Sequence, residues 1–264
     1  MPSERAAAFF DLDKTLLEGS SAFHFARAAF ESGMLSRRQL ARDLIANLRF
    51  RLRGSTDDQT EAVKRRVLEA IAGQRQRDLM RLGPRVLAAI LPRLYPQMLA
   101  EAWSHQDAGR RVYIVTAASQ ELADTLANVL GFDGAIGMRA EVENGVYTGR
   151  TAGPFTYREG KAQAIRELAA REGIDLAASY AYSDSESDLP MLRVVGNPVA
   201  VNPDRELERI ARSEGWRIMR FDKLLLRLRL AAAALLAAGV GTVAALFATR
   251  RRGRRRRLPV AVRA

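Results

Sequence analysis

The chain of 264 residues contains no cysteine. This absence excludes disulfide bonds, zinc sites with thiolate ligands and a cysteine nucleophile. Histidine is scarce as well: His24 and His105 stand isolated, and both are interpreted as structural or surface residues, with a substrate contact left open for His24. The first residues lack the apolar run of a secretory signal, so the body of the chain is expected in the cytoplasm.

Acidic residues are absent from the end of the chain. Residues 223–264 contain eleven of the 42 lysines and arginines and no aspartate or glutamate. In the rest of the chain, 31 basic residues are nearly balanced by 30 acidic ones. The net charge of +12 therefore resides in the tail. This asymmetry indicates a surface-binding tail rather than a nucleic-acid-binding body. The tail has no aromatic residue between its arginines to stack on bases, which argues against nucleic acid as a partner.

An uncharged segment, Leu230–Ala248, precedes the arginines of the tail. Its nineteen residues could just cross a bilayer, and the flanking charges favour a membrane helix over a buried C-terminal helix. A full crossing would carry the seven arginines of residues 250–257 outwards, against the positive-inside rule. A shallow helix or a hairpin turning at Gly239–Gly241 would avoid this. Residues 224–257 are predicted to attach to the inner face of the membrane, and spanning stays open.

Short apolar runs alternate with helical stretches along the body of the chain. The pattern predicts strands at 6–10, 112–115, 180–183 and 199–201, helices at 120–130, 160–172 and 206–214, and a hairpin at 141–148. This alternation is typical of an α/β protein with a mostly parallel sheet flanked by helices. The helical stretch 21–102 is too long for one crossover and is interpreted as an inserted cap. The expected domains are a core of 6–20 and 103–221, the cap, and an apolar helix with an arginine-rich tail at 222–264.

Polar residues follow several of the predicted strands. In an open parallel sheet the carboxyl ends of the strands meet at one edge, where ligands bind. Buried carboxylates are costly unless they are paired; a divalent cation would pair them, and a carboxylate beside it can act as a nucleophile. Taken singly, these residues could also form a solvated turn, a surface lysine or a helix N-cap. The residues are Asp11, Asp13, Thr116, Asp184 and Asp188, with Lys161 at the start of a helix.

Two motifs carry a family resemblance. The segments Asp11–Thr15 (DLDKT) and Tyr182–Leu192 (YSDSESDLPML) resemble the motifs of the haloacid dehalogenase superfamily of phosphohydrolases, over about residues 6–221. The helical insert and the segment Gly196–Asp204 (GNPVAVNPD) are most similar to its phosphoserine-phosphatase-like branch, subfamily IB. The resemblance implies a Rossmann-like sheet with an inserted helical cap.

The same resemblance implies roles for individual residues. Asp11 would be the nucleophile that forms an aspartyl-phosphate. Asp13 would be the general acid for the leaving group and then the base that activates water. Thr15 and Thr116 would hold phosphoryl oxygens, and Lys161 would neutralise nucleophile and phosphate.

The resemblance also implies a Mg²⁺ site. Asp11, Asp184 and the backbone carbonyl of Asp13 would bind the ion, and Asp188 would support the metal shell or Lys161. Oxygen ligands of this kind suit Mg²⁺. The predicted function is therefore that of a Mg²⁺-dependent phosphomonoester hydrolase.

The substrate is predicted less sharply than the reaction. The tail suggests a small or lipid-derived phosphate monoester at the membrane. Phosphoserine is an alternative, although its specific phosphatases usually carry an acidic residue where Ser20 stands, and Ser-Gly-Gly in place of Thr116-Ala117-Ala118. Two other classes stay open: a non-catalytic membrane adaptor and an RNA-associated protein.

Overall fold

The computed structural model describes residues 5–34, 65, 68–153 and 155–221. The chain separates into two compact units, Met1–Arg220 and Phe221–Ala264. The predicted apolar helix and arginine-rich tail, and residues 35–64 of the predicted cap, lie outside the described residues. Within those described ranges, no helix is long and apolar enough to cross a membrane.

Six parallel strands form the central sheet, in the order β3-β2-β1-β6-β7-β8. A separate antiparallel hairpin consists of β4 and β5. The strands are β1 (Ala7–Asp11), β2 (Arg111–Ser119), β3 (Gly134–Met138), β4 (Ala140–Glu143), β5 (Val146–Thr151), β6 (Tyr180–Ser183), β7 (Asn197–Val201) and β8 (Arg217–Met219).

Helices connect the strands. The α-helices are α1 (Ser21–Glu31), α2 (Gln76–Met80), α3 (Gly83–Ile90), α4 (Pro96–Asp107), α5 (Gln120–Leu130), α6 (Glu159–Glu172), α7 (Leu189–Leu192) and α8 (Arg205–Ser213). Short 3₁₀ turns cover Leu91–Arg93 and Glu186–Asp188. The boundary predicted between core and cap, at residues 102 and 103, falls inside α4. The division into core and cap stays a prediction.

The central strand β1 is buried along its whole length. Phe9 stacks on Tyr113 and belongs to the core cluster that contains residues of α6, α7 and α8. Phe10 stacks on Tyr182 at 4.3 Å between ring centroids and meets the edge of His105, which lies on α4. Apolar side chains on both faces explain why β1 reads as a continuous apolar run instead of an alternating one.

The register of the sheet brings three strand ends together. Asp11, the last residue of β1, pairs with Val115 of β2, and Phe10 pairs with Tyr182 of β6. Thr116 and Asp184, each one or two residues beyond those partners, therefore lie beside the end of β1. This edge carries the candidate site.

The predicted α/β architecture with its parallel sheet is confirmed. Two strands were missed by the sequence interpretation. β3 contains two glycines, Gly134 and Gly137, and β8 is only three residues long and begins with the exposed Arg217. Neither has the apolar run that marks a buried strand, so pairing with a neighbour defines them.

Candidate active site

Asp11 is held at both carboxylate oxygens. Its side chain is buried at the end of β1, where Oδ1 accepts a hydrogen bond from Lys161 Nζ at 2.6 Å and Oδ2 accepts one from Thr15 Oγ1 at 3.1 Å. The loop that follows turns back at Lys14, whose φ of 60° is left-handed, and Leu16 N–H donates to the Asp11 carbonyl. The predicted nucleophile and two of its predicted neighbours thus lie together.

Lys161 stands in the first turn of α6 and joins two carboxylates. Its Nζ donates to Asp188 Oδ2 at 2.7 Å as well as to Asp11, and Asp188 also accepts from Ser183 Oγ at 2.7 Å. The side chains of Lys161 and Asp188 are each 4% exposed. The start of α6 packs closely against the backbone of Phe155. This approach requires a glycine at residue 160, because a Cβ there would be 1.8 Å from the Phe155 carbonyl oxygen.

Asp184 lies directly after β6 and is buried. Its Oδ2 is 3.4 Å from Nζ of Lys14, a lysine whose side chain is 55% exposed. The 3₁₀ turn Glu186–Asp188 follows, and Ser185 caps it through Oγ, which accepts from the Ser187 N–H. The turn sets Asp188 against Lys161 and leaves Asp184 beside Lys14.

The buried charges do not balance. In the described part of the chain, three carboxylates are buried here, Asp11, Asp184 and Asp188, beside one buried cation, Lys161, which contacts Asp11 and Asp188. Burial raises the pKa of Asp184 to about 6, against the pull of Lys14. Burial also raises the pKa of Asp11, which Lys161 opposes and the neighbouring carboxylates reinforce. Burial lowers the pKa of Lys161, but Asp11 and Asp188 outweigh it and raise that pKa above its ordinary value.

These oxygens fit a hard divalent cation. Across the described ranges, no group of three or more histidine, aspartate or glutamate side chains is placed to hold a metal ion. The predicted set needs only two carboxylates, Asp11 and Asp184, with the backbone carbonyl of Asp13. A cation there would offset the excess negative charge at a site with all-oxygen donors, which are the ligands that Mg²⁺ takes.

Asp13 is tied to the first turn of α1. Its Oδ1 accepts from the Ser21 N–H at 2.8 Å and its Oδ2 from Ser20 Oγ at 3.3 Å. The carboxylate therefore satisfies a backbone donor that the helix end leaves free. Ser20, which stands where an acidic residue was expected for phosphoserine recognition, donates to the predicted general acid.

Thr116 is buried, and its position follows from the register. It comes after Val115, the strand partner of Asp11, and its Oγ1 accepts from the Ala118 N–H at 3.1 Å. Hydrogen bonds thus link Asp11, Thr15, Lys161 and Asp188, while Thr116 is placed beside them by the sheet. The sequence interpretation did not assign Ser183 or the Lys14 contact: both residues lie inside the quoted motifs, but motif spacing does not show which side chains they contact.

His105 lies buried behind the strands. Arg110 Nε donates to its Nδ1 at 2.7 Å, so in the tautomer that this assigns, Nε2–H faces the Tyr182 hydroxyl at 2.7 Å. That hydroxyl donates to Glu101 at 2.9 Å. Burial, reinforced by Arg110, lowers the pKa of His105 to about 4. The prediction of a structural histidine agrees with this network.

Comparison with known proteins relates the chain to phosphate-ester chemistry. A model of haloacid dehalogenase-like hydrolases matches residues 8–193. Phosphoserine phosphatase SerB1 of Mycobacterium tuberculosis is 40% identical over 253 residues, which cover 94% of this chain and 82% of the relative. A histidinol-phosphatase of Neisseria meningitidis is 30% identical over 219 residues, 81% of this chain and 98% of the relative.

A solved structure agrees with the fold over most of its length. The crystal structure of a protein with unknown function from Bordetella pertussis superposes with a TM-score of 0.71 at 30% identity, and the match covers 81% of this chain and 98% of that one. The site at the edge of the sheet lies within the family match, whereas β7 and β8 of the central sheet lie beyond it.

Proposed function

The chain belongs to the haloacid dehalogenase-like hydrolases and is a phosphatase of that family, and we propose that it hydrolyses small phosphate monoesters through an aspartyl-phosphate formed on Asp11. The observation that carries this proposal is the 2.6 Å contact between Lys161 Nζ and Asp11 Oδ1 at a buried strand end. A carboxylate can approach a phosphate dianion only where positive charge offsets the repulsion.

The proposed reaction proceeds in two displacements. A carboxylate oxygen of Asp11 forms a bond to phosphorus while the bond to the alcohol oxygen breaks, and Asp13 gives its proton to that oxygen. Asp13 then takes a proton from water as the water oxygen attacks phosphorus, which releases inorganic phosphate and restores Asp11. The hydroxyls of Thr15 and Thr116 would donate to the phosphoryl oxygens.

The proposed reaction also requires Mg²⁺. Bound by Asp11, Asp184 and the backbone carbonyl of Asp13, it would neutralise the negative charge that accumulates on nucleophile and phosphoryl oxygens. Lys161 remains the permanent cation of the site, and Asp188 holds it in place through a 2.7 Å contact.

Hydrolysis of p-nitrophenyl phosphate by the purified chain tests this function. We expect turnover with Mg²⁺, loss of turnover with EDTA, and no turnover in Asp11→Asn although its circular dichroism is unchanged. Asp124→Asn is the matched control, because Asp124 is an exposed aspartate on α5. An Asp11→Asn variant with wild-type turnover would refute the nucleophile assignment. A folded wild-type chain without turnover would favour the non-catalytic adaptor.

The physiological substrate and the membrane attachment belong to the proposal. Two relatives described above are named as a phosphoserine phosphatase and a histidinol-phosphatase. The tail at 224–257 makes lipid-derived monoesters on the inner face of the membrane further candidate substrates. A turnover screen should therefore include phosphoserine, histidinol phosphate, glycerol phosphate and lysophosphatidate.

Truncation after Phe221 tests the attachment separately, because Met1–Arg220 is a compact unit. The truncated chain should keep p-nitrophenyl phosphate turnover and lose sedimentation with anionic lipid vesicles. A full-length chain that stays in the supernatant with such vesicles would contradict membrane attachment.

A further inference from the structure

Lys14 contacts a carboxylate of the candidate site, although the proposed reaction gives it no part. Its Nζ lies 3.4 Å from Oδ2 of Asp184, whose side chain is 10% exposed. Its backbone has a φ of 60°, and its N–H donates to the Gly19 carbonyl at 3.0 Å. A left-handed conformation is uncommon and costly for a residue with a Cβ, and such outliers concentrate at functional sites. The loop therefore fixes the backbone of a lysine whose cation reaches the buried carboxylates.

The use of lysine at this position differs from the rest of the chain. The sequence contains 38 arginines and four lysines. Both lysines in the described part of the chain, Lys14 and Lys161, contact carboxylates of the site. Arginine presents a rigid fork of donors that can hold a carboxylate by two hydrogen bonds, whereas lysine is a compact point charge on a flexible stem. A lysine can therefore pair with Asp184 and release it again.

The two lysines hold their carboxylates differently. The side chain of Lys161 is 4% exposed, and its Nζ lies 2.6 Å from Asp11 and 2.7 Å from Asp188. The side chain of Lys14 is 55% exposed, and its 3.4 Å contact with Asp184 is long for a hydrogen bond between charged groups. An ammonium group that already meets water loses little when it gives up such a contact. Lys161 is the permanent cation of the site, and Lys14 is a replaceable one.

Asp184 is also one of the carboxylates that the proposed Mg²⁺ site requires. Asp11 and Asp184 are its two side-chain ligands, so the divalent cation and the Lys14 ammonium group both depend on the Asp184 carboxylate. Two cations beside one carboxylate repel each other, and water screens this repulsion less at a buried group than at the surface. Binding of Mg²⁺ must therefore either displace Lys14 from Asp184 or occur against its positive charge.

We propose that Lys14 competes with Mg²⁺ for Asp184 and thereby sets the Mg²⁺ affinity of the site. The proposal rests on the proposed Mg²⁺-dependent function. Lys14 supplies Asp184 with a counter-charge when Mg²⁺ is scarce and gives up the carboxylate as the Mg²⁺ concentration rises. The site therefore takes up the ion at a higher concentration than its oxygen ligands alone would require. Lys14 acts on the metal ligand and not on the phosphoryl group, so its effect is on metal binding.

Two substitutions at Lys14 should change the Mg²⁺ affinity in opposite directions. Lys14→Met removes the charge and keeps a side chain of similar length. It should lower the Mg²⁺ dissociation constant about twofold to fivefold, the factor that an exposed ion pair contributes. Lys14→Arg keeps the charge and adds the donor fork, so it should hold Asp184 more firmly and raise the dissociation constant. An effect of charge at long range would instead leave Lys14→Arg equal to the wild type.

The thermal unfolding midpoint of the full chain, titrated with MgCl₂ at constant ionic strength, measures this affinity without substrate. The protein is first treated with EDTA and desalted. An ion that binds the folded chain raises the midpoint as its site fills, so the concentration dependence gives the dissociation constant. Arg27→Met is the matched control, because Arg27 is an exposed arginine whose ion pair is with Glu31, and it should keep the wild-type constant. Asp184→Asn should abolish the response to MgCl₂.

An unchanged or higher dissociation constant in Lys14→Met would overturn the proposal, as would an unchanged or lower one in Lys14→Arg. If Lys14→Met does not fold, Lys14→Arg decides by itself. A wild type that does not respond to MgCl₂, or an Asp184→Asn variant that responds like the wild type, would overturn both this proposal and the proposed Mg²⁺ site. The phosphatase function fails differently, through absent hydrolysis of p-nitrophenyl phosphate by a wild type that binds Mg²⁺. Normal hydrolysis with equal constants in all three chains counts against Lys14 alone.

Discussion

Replacement of Lys161 by methionine tests how the buried charges at the site are balanced. Methionine has a similar length and no charge, so the change removes the contacts of 2.6 Å to Asp11 and 2.7 Å to Asp188 with little change in volume. The three side chains are 4–8% exposed, so water cannot replace the lost partner. Two carboxylates would then remain buried without their cation.

The expected loss is large for one substitution. Removal of one partner from a buried ion pair costs about 3–5 kcal/mol, because the remaining charge is left uncompensated. Whole domains are stable by about 5–15 kcal/mol, so the variant should still fold while its free energy of unfolding falls by a large fraction. Burial raises the pKa of Asp11 and Lys161 opposes that rise. Without Lys161 that pKa should rise further, so the loss should shrink as the pH is lowered and the carboxyl group takes up a proton.

Urea unfolding followed by circular dichroism in EDTA measures this loss. Lys14→Met is the matched control: Lys14 also contacts a site carboxylate, Asp184, but at 3.4 Å and with its side chain 55% exposed. Because the Lys14 ammonium stays in contact with water, we expect this half-exposed pair to contribute less than the buried one, on the order of 1 kcal/mol. Equal losses in the two variants would refute the buried ion pair, as would a Lys161→Met loss that grows when the pH is lowered.

Two further predictions concern the framework of the site. Gly160→Ala should lower the free energy of unfolding by about 1–3 kcal/mol and also lower turnover, because the new Cβ would lie 1.8 Å from the Phe155 carbonyl oxygen. Gly83→Ala is the control, because a Cβ there has nothing within 4 Å, and it should change neither quantity. Thermal unfolding and p-nitrophenyl phosphate turnover measure the two effects. Burial lowers the pKa of His105 from 6.5 to about 4, reinforced by Arg110, so its stabilising contribution is present above pH 6.5 and is lost as the pH falls towards 4. His105→Gln should therefore lose stability less steeply over that window in urea titrations, and an equal slope would contradict the buried neutral histidine.

The central strands could be predicted because buried strands are short apolar runs in the sequence. β1 is an apolar run that ends in Asp11, β6 is a short buried run directly followed by Asp184, and the hairpin of β4 and β5 surrounds Asn144-Gly145, where both residues have positive φ. β3 and β8 could not be predicted. Two glycines interrupt β3 and β8 has only three residues, so the extended conformation of both depends on pairing with β2 and β7, which local sequence does not encode.

At the site, too, some contacts could be predicted from the sequence and others could not. The family resemblance implied that Asp11, Lys161 and Asp188 come together, and the three side chains do contact one another through Lys161. The bonds from Ser20 and Ser21 to Asp13 depend on how α1 leaves the loop, and the Lys14 contact depends on its left-handed φ. Neither is visible in residue spacing.

Chemical trapping of the phosphorylated enzyme tests the central claim most directly. The chain is mixed with p-nitrophenyl phosphate and Mg²⁺, quenched in acid, reduced with borohydride and analysed by peptide mass spectrometry. Borohydride converts an aspartyl-phosphate to homoserine, so we predict homoserine in place of Asp11 in the wild type and no conversion in Asp11→Asn. Conversion at another carboxylate, or none at Asp11 under conditions of active turnover, would contradict the assignment of Asp11 as the nucleophile.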